Sequence, residues 1–212
     1  MNSAGDKYSP AKLTPIALQA AVQQAGGTDI DNPYPASFLT EKPRQAAVLV
    51  SFLILDGDWH ILFIRRTHVE GDMHSGQVAF PGGAAESGDE DAVATALRET
   101  REEINLNQHN IQILGCLPRL RTISNFVITP VVGILDWPLE LHPNPAEVSR
   151  IFTIPLPWLM DSRNRTKQKR QLPDSFGTID VIYFEEYQGE ILWGASARIM
   201  EQLITTLAQY QK

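Results

Sequence analysis

Apolar positions along the chain change their spacing several times, and those changes divide it into helices and strands. Pro10 to Gln24 predicts an amphipathic helix ended by Gly26-Gly27, and Asp31-Asn32-Pro33-Tyr34-Pro35 a stiff linker. Ala46 to Leu55 is a strongly apolar strand. Asp56-Gly57-Asp58 turns it, and Trp59 to Arg65 returns as its hairpin partner. Thr67 to Met73 is a polar loop, after which Ala79-Phe80-Pro81-Gly82-Gly83 reads as a strand running into a glycine turn. The period then becomes helical: Val93, Ala96, Leu97, Thr100 and Ile104 recur at steps of three and four. Asp89, Glu90 and Asp91 crowd the start of that helix, where carboxylates cap free amides, and Asn105 closes it. Further on, Ile111 to Leu117 and Val127 to Leu135 read as strands joined by Pro118 to Asn125. Arg150 to Ile154 is another strand and Pro155 to Met160 a short helix. Val181 to Glu186 and Ile191 to Trp193 flank a turn at Gln188-Gly189, and Ala195 to Ala208 forms a closing helix. The chain shows no internal repeat. Hairpins mixed with helices predict the α/β class, a mixed β-sheet in an α/β/α sandwich.

Composition bounds this picture. With 212 residues, 43% of them apolar, the chain has material for one sizeable core. One domain is expected, with the helix and linker over residues 1–44 and the core over 45–212. A net charge of −7 argues against a broad nucleic-acid footprint. No apolar run reaches the length of a membrane span, and Met1 to Ser9 carries no signal-peptide core, so a cytoplasmic location is expected. Cys116 is the only cysteine and, between Leu114-Gly115 and Leu117, is expected to be a buried structural thiol.

The chemistry concentrates in Arg98-Glu99-Thr100-Arg101-Glu102-Glu103. Glu99, Glu102 and Glu103 stand three and four residues apart, so a helix brings them onto one surface, largely off the apolar stripe. Carboxylates that close repel one another unless a cation compensates. A hard divalent ion such as magnesium, which prefers carboxylate oxygens, suits them. A solvated acidic face partnered by Arg98 and Arg101 fits the same residues. The glycine turn upstream favours the metal, because Gly82 and Gly83 let the backbone approach a ligand closely.

Gly83 to Leu106 resembles the Nudix box, G-x5-E-x7-R-E-U-x-E-E-x-G-U with U apolar. Glu90, Arg98, Glu99, Glu102, Glu103 and Leu106 fall on its positions. Ala84 stands at the nominal first glycine, Thr100 at an apolar position, and Asn105 at the second glycine. Just before the box lie Arg65-Arg66 and then His74-Ser75-Gly76-Gln77-Val78-Ala79-Phe80-Pro81-Gly82-Gly83. This is similar to the signature of the coenzyme A pyrophosphatase branch of that superfamily, R-R, a spacer and H-x-G-Q-x-x-F-P-G-G. Glu147 to Phe152 and Ile191 to Ala195 look like that branch too. The resemblance spans roughly residues 45 to 205, and its specific part is Arg65 to Leu106.

The resemblance implies the Nudix fold and a magnesium- or manganese-dependent pyrophosphohydrolase. Its substrate would be coenzyme A or an acyl or oxidised derivative, cut to adenosine 3′,5′-bisphosphate and a 4′-phosphopantetheine product. Glu99, Glu102 and Glu103 are the expected metal ligands, assisted by a backbone carbonyl near Gly83. One of the three, or Glu147 from a later loop, would take the proton of the attacking water; Glu147 fits a capping role equally well. Strand alternation sends Arg65 and Arg66 to opposite faces, so one of them at most faces the site directly. A guanidinium can grip a phosphate with two bonds, and the 3′-phosphate of coenzyme A is the attractive partner. His74 and Gln77 would contact substrate or fix the loop, and Trp193 is expected in the core. Other nucleoside diphosphate derivatives (ADP-ribose, NADH), an RNA end, or a non-catalytic sensing role remain alternatives. The oligomeric state is open.

Overall fold

The computed structural model describes residues 13–26, 31–35, 42–71, 75–173 and 176–210. The long apolar strand β1 (Arg44–Leu55) is the axis of the sheet. Its second half pairs antiparallel with β2 (Asp58–Arg66) across the expected tight turn, where Asp56 and Gly57 both have positive φ. Two short strands, β3 (Val78–Ala79) and β4 (Gly82–Ala84), follow the polar loop. The first pairs with the end of β2, and the second pairs with the start of β1. The glycine turn is therefore stitched between the two central strands, and the Leu49 amide donates to the Pro81 carbonyl at 2.7 Å.

Helix α2 (Ala92–Ile104) comes next, then β5 (Ile111–Cys116), β6 (Leu120–Arg121) and β7 (Phe126–Leu135). β7 lies parallel to β1 over the register from Arg44 with Phe126 to Phe52 with Ile134, which makes the sheet mixed. β8 (Val148–Pro155) pairs antiparallel with β2. α3 (Leu156–Met160) follows β8, and a separate ribbon of β9 (Arg165–Gln171) and β10 (Thr178–Phe184) precedes α4 (Gly194–Tyr210). The order through the main sheet is β3-β2-β1-β7-β5.

Alternation along β1 and β2 feeds two cores. Val50, Phe52, Trp59, Ile61 and Phe63 pack with α4 and with α1 (Pro15–Ala25). Ala47, Leu49, Leu53, Leu62 and Ile64 pack with Ala96 and Ile104 of α2 on the opposite face. The expected α/β/α sandwich results.

Several expectations are corrected. The first helix begins at Pro15, with the Thr14 hydroxyl accepting from the Ala17 amide at 3.2 Å. Pro15 is suited to the first helical turn and biases Thr14 to extended backbone, so no helix runs back through that position. Residues 1–12 and Gly27 lie outside the described residues. The segment from Pro118 to Asn125 contains β6. β9 was missed, because Arg165–Gln171 is polar throughout and shows no apolar alternation. It is held instead by seven rungs with β10 and by the Lys167–Glu201 ion pair at 3.1 Å. Ile191 to Trp193 forms no strand and pairs with β10 through an isolated bridge between Tyr183 and Trp193. Trp193 is outside the core: it stacks on Tyr183 at 5.6 Å with Arg170 over its ring at 5.2 Å. Cys116 is half-buried rather than enclosed, and burial pushes its thiol pKa up.

Candidate active site

The acidic helix starts and stops where its chemistry dictates. Asp91 caps it, accepting from the Ala94 amide at 2.8 Å, and Asn105 closes it in the left-handed conformation at φ 55°. Thr100 is buried on the packed face, which it tolerates because its hydroxyl donates to the Ala96 carbonyl at 2.6 Å. With that face fixed, Glu99 and Glu103 turn toward the glycine turn, and Glu102 points outward.

Glu103 is the most deeply set of the three, with a side chain 1% exposed. Its Oε2 accepts from the Gly82 amide at 2.8 Å, and its Oε1 lies 3.6 Å from Nη1 of Arg66. Desolvation pushes its pKa up to about 7, with Glu99 and Glu147 adding to the rise while Gly82 and Arg66 oppose it. Burial also raises Glu99, against the pull of Arg98. The Glu99 carboxyl lies against Gly83 so closely that a Cβ there would be 2.5 Å from Oε2. A Cβ on Gly82, at φ 146°, would be 2.3 Å from the Ala47 carbonyl oxygen. Gly82 is therefore required by its close approach to strand β1, whereas a side chain at Gly83 would have to push the Glu99 carboxyl aside.

Arg98 fastens the loop to the helix. Its Nε and Nη2 each donate to Asp89 at 3.0 Å, and Nη2 also donates to the Ala84 carbonyl at 2.9 Å. These bonds hold the Asp89 pKa well below the usual carboxylate range. Nη1 of Arg98 reaches Glu99 at 3.0 Å and Glu102 at 3.3 Å. In the sequence Asp89 is one of three acids before the helix; in the fold it is the residue that aims Arg98. Ala84, at the nominal glycine position, serves through its carbonyl, which any residue supplies.

The upstream motif runs beside these carboxylates. The Arg66 amide donates to the Gln77 carbonyl at 3.0 Å, and Phe80 packs on Phe63 with ring centroids 4.8 Å apart. Glu147 stands on the loop before β8, where its amide and its Oε1 both bond to Asn144 and its carbonyl accepts from Thr67. It is near enough to Glu99 and Glu103 to raise both. His74 lies outside the described residues. Arg65 and Arg66 diverge: Arg66 faces Glu103, and Arg65 pairs with Glu190 on the other side of the strand at 3.4 Å. Glu190, 3% exposed and also paired with Arg150 at 2.9 Å, was not anticipated. The only trace of it in the sequence is a lone charge ahead of the apolar run Ile191-Leu192-Trp193.

Among the described residues, no three His, Cys, Asp or Glu side chains gather closely enough to hold a metal ion as they stand. Arg98 bridges Glu99 and Glu102, and Arg66 faces Glu103. The donor set nevertheless fits a hard divalent cation. It consists of carboxylate oxygens, and the deepest carboxylate is under-compensated enough to hold its proton to about pH 7. Arg66 is only loosely engaged, since its buried Nε has no hydrogen-bond partner among the described residues.

The model of the NUDIX domain family matches residues 43–176, more than half of the chain. The chain belongs to the Nudix family. It is 37% identical over 179 residues to the protein named uncharacterized Nudix hydrolase NudL of Photorhabdus laumondii, covering 81% of this chain and 89% of that one. The protein of the same name from Pectobacterium atrosepticum is 37% identical over 168 residues, 76% of this chain and 81% of its own length. Among solved structures, a MutT/nudix family protein from Enterococcus faecalis aligns over 93% of this chain and 70% of its own, with a TM-score of 0.51 and 15% identity, a likeness of fold. As a Nudix hydrolase, the protein cleaves diphosphate bonds in nucleoside diphosphate derivatives, a chemistry that in this family generally needs divalent metal ions. Among the described residues, no helix is long and apolar enough to cross a membrane.

Proposed function

We propose that the protein is a metal-dependent pyrophosphohydrolase of the coenzyme A type. It would cleave the diphosphate of coenzyme A, or of an acyl or oxidised derivative, to adenosine 3′,5′-bisphosphate and a 4′-phosphopantetheine product. The observation that carries this reading is the adjacency of the two motifs. Gln77 to Gly83 is hydrogen-bonded to the ends of β1 and β2 and donates the Gly82 amide to Glu103, so the segment resembling the coenzyme A branch borders the acidic helix.

Glu99, Glu102 and Glu103, with a backbone carbonyl near Gly83, would hold magnesium or manganese. That ion, when bound, neutralises phosphate charge and lowers the pKa of a coordinated water. Glu103 fixes the glycine turn through Gly82, and Gly83 leaves room for the Glu99 carboxyl. Arg66, beside Glu103 and one-third exposed, would present its guanidinium to a diphosphate oxygen. Arg98 holds the turn to the helix through Asp89 and Ala84, so both walls of the site keep their spacing. Glu147 is exposed and close enough to act on both Glu99 and Glu103 and, with the three helix carboxylates, is a candidate to take the proton of the attacking water. Gln77 and His74 belong to the loop that would border the substrate.

Residues 1–212 are read as one unit, supported by Leu18 and Val22 of α1, which share a core with Val132 and Leu203. A cytoplasmic location suits a chain with one cysteine. The deciding experiment is hydrolysis of coenzyme A alongside ADP-ribose, NADH and a capped RNA, with magnesium, with manganese and with chelator, and with products identified by mass. Metal-dependent release of phosphopantetheine, faster than turnover of any competitor, is the expected result. Faster turnover of another compound would discard the coenzyme A reading.

A further inference from the structure

Arg65 on β2 and Arg150 on β8 are directly opposed partners across the strand pair. Two cations at one rung repel, so the pair needs an explanation. Glu190 supplies part of it. Its buried carboxylate accepts from Nη1 of Arg150 at 2.9 Å and lies 3.4 Å from Nη1 of Arg65. The turn that delivers Glu190 is tightly fixed: Gln188 and Gly189 have φ of 52° and 84°, and Tyr187 and Glu190 exchange backbone hydrogen bonds of 2.9 and 3.0 Å. Arg150 is further held by the Gln188 carbonyl at 3.3 Å, and its guanidinium lies 5.2 Å above the Phe152 ring.

One carboxylate cannot neutralise two guanidiniums. The trio is left with a surplus positive charge on two side chains that stay 46% and 42% exposed. Guanidiniums aligned by a carboxylate behind them and open to solvent in front suit a phosphomonoester dianion, which can take a forked pair of N–H bonds from each. Arg66, the next residue, faces Glu103 on the other side of the strand, so adjacent arginines serve two separate anionic groups.

We propose that Arg65 and Arg150 bind a phosphomonoester on the substrate's nucleoside, the 3′-phosphate in a coenzyme A-type substrate, with Glu190 as the residue that positions them. This rests on the preceding reading, in which the diphosphate lies at Glu99 and Glu103, and it assigns the 3′-phosphate to Arg65 and Arg150 rather than to Arg66.

The test is calorimetric titration of adenosine 3′,5′-bisphosphate and of 5′-AMP, in chelator, into the wild type, Arg150→Ala and Glu190→Gln, with hydrolysis of coenzyme A and dephospho-coenzyme A measured in parallel. The wild type is expected to bind the bisphosphate about tenfold more tightly than AMP, and both variants to lose most of that preference. The ratio of kcat/KM for coenzyme A over dephospho-coenzyme A should fall by about the same factor. A misfolded variant would lose both ligands together, so selective loss of the bisphosphate is a signature that structural damage does not imitate. An undiminished preference in Arg150→Ala, or no preference in the wild type, overturns the proposal. Selective bisphosphate binding without turnover of coenzyme A would keep the clamp and discard the hydrolase reading. Turnover of coenzyme A with no preference over its dephospho form would do the reverse.

Discussion

The two faces at the end of β2 each hold a buried glutamate beside an arginine, yet they balance charge in opposite ways. On the α2 face, Glu103 has one arginine at 3.6 Å and two further carboxylates close enough to raise its pKa. On the other face, Glu190 is shared by two arginines. The first face is short of cations and the second is short of anions. A buried carboxylate is thus no label for a function by itself. On the proposed reading, it is the local surplus that suits one face to a metal ion and the other to a phosphate.

Removing Glu103 should break the contrast most severely. Glu103→Gln keeps the shape and the bond from Gly82 but removes the charge, and should lower metal-dependent turnover on the order of 10³-fold. Steady-state kinetics on a variant with unchanged circular dichroism checks this, and near-normal turnover would end its assignment as a ligand. Next in size is an effect on the metal-free fold. The Glu103 pKa of about 7 lies above the 4.5 of an ordinary glutamate, so the native state binds the proton more tightly than the unfolded chain. That stabilisation is complete below about pH 4.5 and is lost as pH rises through about 7. In chelator, urea unfolding of the wild type should therefore lose up to roughly 3 kcal/mol across this window relative to Glu103→Gln. Parallel curves would show that Arg66 compensates fully.

Gly83→Ala comes third. Its methyl group would displace the Glu99 carboxyl, and a misplacement of about 1 Å in a catalytic geometry costs about 10²-fold in rate. Turnover within a factor of about two of wild type would show that Glu99 has freedom to move. The smallest effect is expected on the other face. Arg65→Ala should cost less than about 1 kcal/mol of stability, because Glu190 keeps Arg150 and the lost partner is half-exposed. A larger loss in chemical denaturation would mean that Glu190 depends on both arginines.

The sequence made one of these faces far easier to read than the other. The acidic helix was legible because its signals are local: Asp91 and Asn105 bound it, and the four-residue step from Glu99 to Glu103 turns both toward the glycine turn, whereas Glu102, grouped with them by spacing, points outward. The depth of Glu103 was not, since its burial comes from packing against Gly82 and β1, distant in the chain. The divergence of Arg65 and Arg66 followed from strand alternation, but their partners did not. Glu190 lies 125 residues from Arg65 and 40 from Arg150, and no periodicity links such positions. β9 escaped for a related reason, its cohesion residing in backbone pairing with β10 rather than in any apolar pattern.

The parallel pairing of β1 with β7 bears on how the protein comes to exist. Arg44 must find Phe126 before the ladder can close, with α2 and both flanking turns looped out in between. Such non-local closure slows folding, and Gly82 and Gly83 reach the carboxylates only once β4 has docked on β1. The proposed cation site would therefore be assembled only in the finished sheet. By mass action, the cation that serves hydrolysis would also act as a folding ligand, raising the unfolding midpoint in step with its free concentration.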